Sequence, residues 1–463
     1  MRVGIRSGRG EWVSTTDLLI MNLRVALSVI AVILAFGISA GTFANSADHP
    51  EAAKLNHQGL DNLHKKRYEQ AIALFRRALE LQPEFPEALD NLGKALDATD
   101  KDTEAIINFD KAIKLAPENA NLYADKALAL FHEGKYEGSA AAYRQALDHH
   151  KDFPEAQNGL GAALLHLDRT DQAIAAFQAA ITLNPKYADA LGNLGSALIS
   201  QNKAVEALPY LRKAHLLQPN QPDFLANYAH ALEAAGQLNE AIAAYHKLTS
   251  KHPNEPASWA HLGYAYSKTK RYDQAVSAFQ KSLSLKSEQL EVIVALGHAQ
   301  LELHQAPDAI HSFEKALALK SDDFYVLYNL GGAYFNQKEF AKAASFYEKA
   351  YAVKPDYPDA LIGLGASQLN INKFDAAIAT YQKLIPLKPD DSNIRFNYGT
   401  ALFNAGKFEE AAKSYREAIR LNPQLAHAHY NLAQCLLRLG DSTGAETEFA
   451  EAHRLDPSLA PPK

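Results

Sequence analysis

The chain has 463 residues, 47% hydrophobic and 22% charged, the balance of an ordered protein. Its net charge of -6 is spread without a basic block, which argues against a nucleic-acid partner. Cys435 is the single cysteine, so an intrachain disulfide and a cysteine metal cluster are excluded.

Met1 and Met21 are the only methionines, and residues 1–20 read as a misread upstream start. Residues 21–44 read as a signal peptide. Arg24 supplies the charge, Val25 to Ile38 the apolar stretch, and Thr42-Phe43-Ala44 a small-residue cleavage site before Asn45. The alternative is a membrane anchor, because Val25 to Ala44 is uncharged and long enough to span. Either reading places the rest outside the cytoplasm, periplasmic or secreted, or anchored and facing away from it. Residues 45–51 form a short linker.

From Ala52 the sequence repeats every 34 residues, and twelve units run from 52 to 459 without an insertion or deletion. Slot 8 of each unit is glycine or alanine, from Gly59 to Ala433. Slot 20 is alanine in every unit but the third, which has Ser139. Slot 24 is aromatic except for Leu211, and slot 32 is mostly proline, as at Pro83, Pro117 and Pro457. Slots 4, 7, 8 and 11 follow helical spacing and predict the buried stripe of a first helix, A; in the seventh unit they are Trp259, Leu262, Gly263 and Tyr266. Slots 20, 24 and 27, here Ala275, Phe279 and Ser282, predict the facing stripe of a second helix, B. Small residues at slots 8 and 20 let the helices approach, the ring at slot 24 fills the space, and proline at slot 32 stops helix B. Two short helices cannot bury their faces alone, so each pair must stack on the next. The fold class is all-α.

This pattern resembles the tetratricopeptide repeat family over all twelve units. The resemblance implies a right-handed superhelical solenoid of helix-turn-helix repeats with the A helices lining its concave wall. Lys151, Ser287 and Ser321 replace the slot 32 proline and predict less sharply defined turns. Pro209, inside the fifth B helix, predicts a bend. Slots 21 and 28 should pack on the following unit and are mostly apolar, as at Ile72 and Leu79 or Ile378 and Ile385. In the twelfth unit they are Glu446 and His453, the polar outer face of a last repeat, with residues 460–463 as a tail. Thr249 and Lys251 make the joint after the sixth unit the softest.

Slot 6 is asparagine in half the units: Asn91, Asn193, Asn227, Asn329, Asn397 and Asn431. Asparagine inside a helix costs up to ~0.7 kcal/mol against alanine, so the array has a reason to keep it. One reading is a ladder of amides, each able to donate to a peptide carbonyl and accept from its N–H. Such a ladder resembles the one inside the superhelix of O-linked N-acetylglucosamine transferase, where it grips an extended peptide. The other reading is that each asparagine bridges to the neighbouring A helix. Tyr325, Tyr328, Phe335, Phe396, Phe403 and Tyr430 flank the ladder in the last four units and form either an aromatic groove for a partner or packing between A helices. His64, His132 and His166 share slot 13 and read as surface histidines more readily than as metal ligands. Slot 5 holds no lysine, so the family's clamp for acidic C-termini is not supported.

No nucleophile–base pair or phosphate loop appears, so no enzyme activity, cofactor or metal is expected. The function read from the sequence is an exported scaffold that binds protein or extended peptide in the concave groove. Alternatives are a periplasmic accessory of polysaccharide or envelope export machinery, and a targeting subunit of a partner enzyme such as a glycosyltransferase. Membrane contact is expected only through an uncleaved N-terminal segment.

Overall fold

The computed structural model describes residues 49–459. The expected upstream stretch, leader or anchor, and tail lie outside the described residues. Among those described, 24 α-helices alternate as A and B, and there is no strand. No described helix is long and apolar enough to cross a membrane.

The helices obey the repeat to the residue. B helices begin at slot 17, from Tyr68–Leu81 through Ser442–Leu455, and A helices at slot 1 after the first, which starts at Pro50. Each A helix packs on the B helix of its own repeat, and within each unit described below each B helix packs on the next A helix. Where slot 8 is glycine the ring uses the space its missing Cβ leaves: a Cβ on Gly263 would lie 2.5 Å from Phe279 Cε1. At the exceptional slot 20, Ser139 Oγ donates to Ala127 O at 2.7 Å, so the buried hydroxyl is satisfied.

The turn from A to B has a feature that the sequence reading missed. Slot 15 is left-handed in all twelve repeats, with φ between 57 and 85°. Its N–H and the next one reach back into helix A, as Lys66 N to Leu63 O and Arg67 N to Asn62 O, the pair of bonds that closes a Schellman motif. Glycine occupies slot 15 in four repeats only: Gly134, Gly236, Gly406 and Gly440. Elsewhere the position is asparagine, aspartate, lysine or histidine, which adopt this region at some cost.

The turn from B to A corrects one expectation. B helices without the slot 32 proline, Tyr136–His149, Tyr272–Leu285 and Ala306–Leu319, end at slot 30 like most of the others. Helix termination therefore does not depend on that proline. In the seventh repeat Gln289 does part of the work, its Nε2 donating to Lys286 O at 2.7 Å and to Ser282 Oγ at 3.0 Å. The tenth B helix, Phe374–Leu384, stops early, next to Pro386. The fifth, Ala204–Leu217, runs unbroken through Pro209. In the twelfth repeat Glu446 and His453 are exposed.

The described residues divide into two compact units, one up to His252 and one from Pro253. The division follows the helix Leu238–Lys251, which carries Thr249 and Lys251. The second unit has one principal core that runs from Ile293 to Phe449. The first unit's core falls into several clusters, among them one from Ala71 to Ala129 and one from Ala120 to Ala231.

Candidate functional site

The slot 6 asparagines lie one per repeat along the A helices, and five of the six hydrogen-bond to the preceding repeat. In the first unit Asn91 Nδ2 donates to Asn56 Oδ1 at 3.0 Å, and Asn193 Nδ2 to Asn158 Oδ1 at 3.0 Å. Asn227 Nδ2 donates to Ser196 Oγ at 3.3 Å. In the second unit Asn329 Nδ2 lies 3.0 Å from His298 Nε2. Burial holds the His298 pKa down, to about 4, so the ring is neutral and accepts as its Nδ1–H tautomer. Asn431 Nδ2 donates to the Tyr415 hydroxyl at 3.3 Å. These bonds use the amide N–H of each residue and leave its carbonyl.

Asn397 differs. It makes no side-chain hydrogen bond among the described residues, and Tyr381, the counterpart of Tyr415, has its hydroxyl buried without a partner. Two of the six repeats that lack asparagine, those with Gly159 and Gly363, have a steric reason. A Cβ on Gly159 would lie 2.5 Å from the Tyr143 hydroxyl, and one on Gly363 would lie 2.6 Å from Tyr347 Cε1. A slot 24 tyrosine that leans into the next repeat therefore takes the space that asparagine would need.

The aromatic residues cluster within the second unit, and the structure gives each a ring neighbour. Phe396 is buried, with its ring 5.7 Å from Tyr415. Tyr430 sits edge-on to Phe449 at 5.2 Å. Phe335 meets Phe340 at 5.1 Å and Phe403 meets Phe408 at 5.4 Å, the same slots two repeats apart. Tyr328 stacks on Phe324 and touches Tyr347 and Tyr357 by its edges, and burial pushes its hydroxyl up to about 12. Tyr325 is the most open of the set at 40% exposed. Its helix, Phe324–Asn336, is fixed by Asp323, which accepts from Tyr325 N and Val326 N. Phe396 is thus a core residue, whereas Tyr325, Tyr328, Phe335, Phe403 and Tyr430 keep part of their surface open.

The first unit carries different chemistry on its A helices. Lys94 Nζ lies 2.7 Å from Asp90 Oδ2 and 3.0 Å from Asp125 Oδ2. Asp125 is buried, and burial together with neighbouring Asp90 pushes its carboxyl up to about 7 despite Lys94. Burial opposes the Lys94 charge, but the two carboxylates more than offset it and raise its pKa. His132 Nδ1 lies 3.0 Å from Asp97 Oδ1, and that bond raises the His132 pKa. Its slot mate His166 stacks on Tyr136 at 4.3 Å. The sequence reading did not find the Lys94 triad, although its members stand at slots 5, 9 and 6 of adjacent repeats.

Comparison with known proteins agrees with this architecture. Models described as tetratricopeptide repeat match residues 124–186, 167–222, 294–358 and 396–460, and, in a second model, 198–263 and 335–395. Further repeat models match 63–100, 86–119 and 256–289. A heat-shock protein cognate co-chaperone, sgt12, of Aspergillus fumigatus is 28% identical over 22% of this chain and 30% of its own length. The small glutamine-rich tetratricopeptide repeat-containing protein 2 of Mycosarcoma maydis is 27% identical over 25% of this chain and 33% of its own length. The chain thus spans about a third of these curated relatives. The solved structure of YrrB, described as a TPR protein with an unusual peptide-binding site, is 23% identical, with a TM-score of 0.38 over 40% of this chain and 95% of that one.

Proposed function

The chain belongs to the tetratricopeptide repeat family, and from that premise we propose that it is a non-enzymatic scaffold that binds an extended segment of a partner protein along the A helices of its second unit. The observation that carries the reading is Asn397, whose side-chain amide makes no hydrogen bond among the described residues while Asn329 and Asn431 are bonded. An amide of this kind can accept from and donate to a peptide backbone. The carbonyls of Asn329 and Asn431 extend the same row, and Tyr325, Tyr328 and Phe403 flank it with partly open rings of the kind that anchor interfaces. The names of the two curated relatives, a co-chaperone and a small repeat protein, fit protein binding as the general activity. The leader-like stretch around Arg24 supports a location outside the cytoplasm.

A random-peptide library selected against the full chain tests this reading. Selected peptides should lose about fivefold in affinity on Asn397→Ala, about 1 kcal/mol for one hydrogen-bonded amide. They should lose more on Tyr325→Ala, while both variants melt like the parent. Peptides that bind both variants as tightly as the parent, or a selection that enriches none, overturn it.

A further inference from the structure

Three successive repeats of the second unit carry tyrosine at slot 24: Tyr347, Tyr381 and Tyr415. The Tyr415 hydroxyl is satisfied. It donates to Thr400 Oγ1 at 3.2 Å and accepts from Asn431 Nδ2, the slot 6 amide of the next repeat, at 3.3 Å. Tyr347 leans into the next repeat at Gly363, where a Cβ would collide with Tyr347 Cζ. Tyr381 sits as Tyr415 does, with its ring against the slot 8 glycine of its own repeat. A Cβ on Gly365 would lie 2.8 Å from Tyr381 Cζ, and one on Gly399 would lie 2.8 Å from Tyr415 Cε1. The repeat after Tyr381 again offers a slot 6 amide, Asn397. Slot 9, however, is Ala366 where the eleventh repeat has Thr400. With that acceptor gone, neither Tyr381 nor Asn397 makes a side-chain hydrogen bond among the described residues, although Tyr381 is 0% exposed. A buried hydroxyl without a partner is costly, and phenylalanine fills slot 24 at Phe279, Phe313 and Phe449 without that cost. Burial alone pushes the Tyr381 hydroxyl up, with no charged group contributing, unlike Tyr328, on which Asp359 acts.

We propose that Tyr381 and Asn397 form a subsite for the primary carboxamide of a glutamine or asparagine side chain in the partner segment. The inference rests on the reading of the second unit as a peptide-binding face, and it names what one position of that peptide carries. The Tyr381 hydroxyl has a proton to donate, and Asn397 offers donors and an acceptor on one planar amide. A carboxamide matches this set: its carbonyl accepts from Tyr381 and from Asn397 Nδ2, and its N–H donates to Asn397 Oδ1. Asn397 is half-buried and gives the subsite its opening, whereas the Tyr381 hydroxyl lies beneath the surface. The backbone of an extended strand runs over that surface, so the group that meets both residues stands at the end of a side chain. A carboxylate or an ammonium group would be desolvated there with no counter-charge, and an aliphatic end would leave both polar groups unsatisfied.

The test uses the full chain and a random-peptide library selected against it. Selected peptides should share glutamine or asparagine at one position. Changing that residue to glutamate or aspartate, which keeps its shape and removes its donor, should weaken binding about tenfold. Tyr381→Phe should weaken the selected peptides about fivefold and shrink their preference for the amide over the acid. Ala366→Thr, which gives Tyr381 the acceptor that Thr400 gives Tyr415, should shrink that preference too. Tyr143→Phe, the same loss of a slot 24 hydroxyl in the first unit, should leave it unchanged. Tyr381→Phe should melt no lower than the parent, since it removes only an unpartnered hydroxyl; a lower melting point would show that the hydroxyl is bonded within the folded chain, and overturns the subsite. Peptides that lose affinity on Asn397→Ala, yet share no amide position or bind Tyr381→Phe as tightly as the parent, overturn the subsite and leave the peptide-binding face standing. Peptides indifferent to Asn397→Ala, or a selection that enriches none, overturn both.

Discussion

The two units share one repeat and differ in what their A helices carry. Slots 8, 20 and 24 are filled alike in both, because these residues sit between the helices of a pair and leave no freedom: a ring against a glycine, as Phe109 on Gly93 or Phe313 on Gly297. Slots 2, 5, 6 and 9 lie outside the slot 8 contact, although the slot 5 rings Phe396 and Tyr430 touch the slot 24 ring of their own repeat. There the first unit places Asp90, Lys94 and Asp125, and the second places Tyr325, Tyr328, Phe396 and Tyr430. The architecture therefore constrains one side of each A helix and leaves the other open to charge in one half and aromatic surface in the other.

Removal of Lys94 tests the charged half most severely. Lys94→Met leaves Asp125 buried opposite Asp90 with no cation, and should destabilise the first unit by about 3 kcal/mol at neutral pH. Because the Asp125 carboxyl titrates near 7 even beside Lys94, acid relieves the repulsion, and the loss should shrink at pH 5. Hydrogen exchange should rise around residues 90–125 and stay as in the parent beyond residue 290, since stability in an array is a sum of local terms. An equal rise in both units would show that the two halves do not melt separately.

The aromatic half is sharpened by a pair of substitutions. Phe396 is 5% exposed and Tyr325 is 40% exposed. Phe396→Ala should cost about 3 kcal/mol of stability through cavity formation. Tyr325→Ala should cost under about 0.5 kcal/mol and act on binding instead. Thermal melts of both variants beside peptide affinity would place each residue; similar melting losses would make the whole aromatic set packing.

The fold was legible because a residue caught between two helices of a pair repeats at a fixed offset, and the eye can follow Gly59, Gly93 and Gly161 down the chain. The face was less so. Asn91 bonds to Asn56 and Asn227 to Ser196, offsets of 35 and 31 rather than 34, because the partner sits one position back, or three on, around the neighbouring helix. A search at those offsets would have found four of the five bridges, all but Asn431 to Tyr415, and the Lys94–Asp125 pair. Gly363 gives no sign in its own repeat that Tyr347 of the preceding one requires it. Spacing alone leaves Phe396 open between groove and packing, because it does not tell which rings, here Tyr415, lie against it.

The A-to-B turns separate the units again, at smaller cost. The second unit opens with three successive left-handed residues that are neither glycine, asparagine nor aspartate: Lys270, His304 and Lys338. The first unit has one, Lys66. Lys338→Gly removes the steric conflict of a Cβ at φ 63° and should stabilise the second unit by about 0.5–1 kcal/mol after the added freedom of the unfolded chain is discounted. Asn372→Gly, where asparagine already tolerates the region, should gain less. Denaturant midpoints of the two variants decide it, and equal gains would mean that the lysine side chain is not strained.

The smallest effect is a pH dependence confined to the first unit. Its hydrogen bond to Asp97 raises the His132 pKa above that of the unfolded chain. The protonated ring is thus favoured by folding, and the contribution is complete below the unfolded value near 6.5 and fades as pH rises through the folded one. The side chain is 44% exposed, so solvent screens the pair and its worth is about a few tenths of a kcal/mol. His132→Ala should therefore lower the melting point slightly more at pH 5.5 than at pH 8.5. His64 occupies the same slot and makes no side-chain hydrogen bond or ion pair among the described residues, so His64→Ala is the matched control and should show no such difference. A pH-dependent loss in both variants would trace the effect to net charge on the A-helix ends rather than to the Asp97 contact.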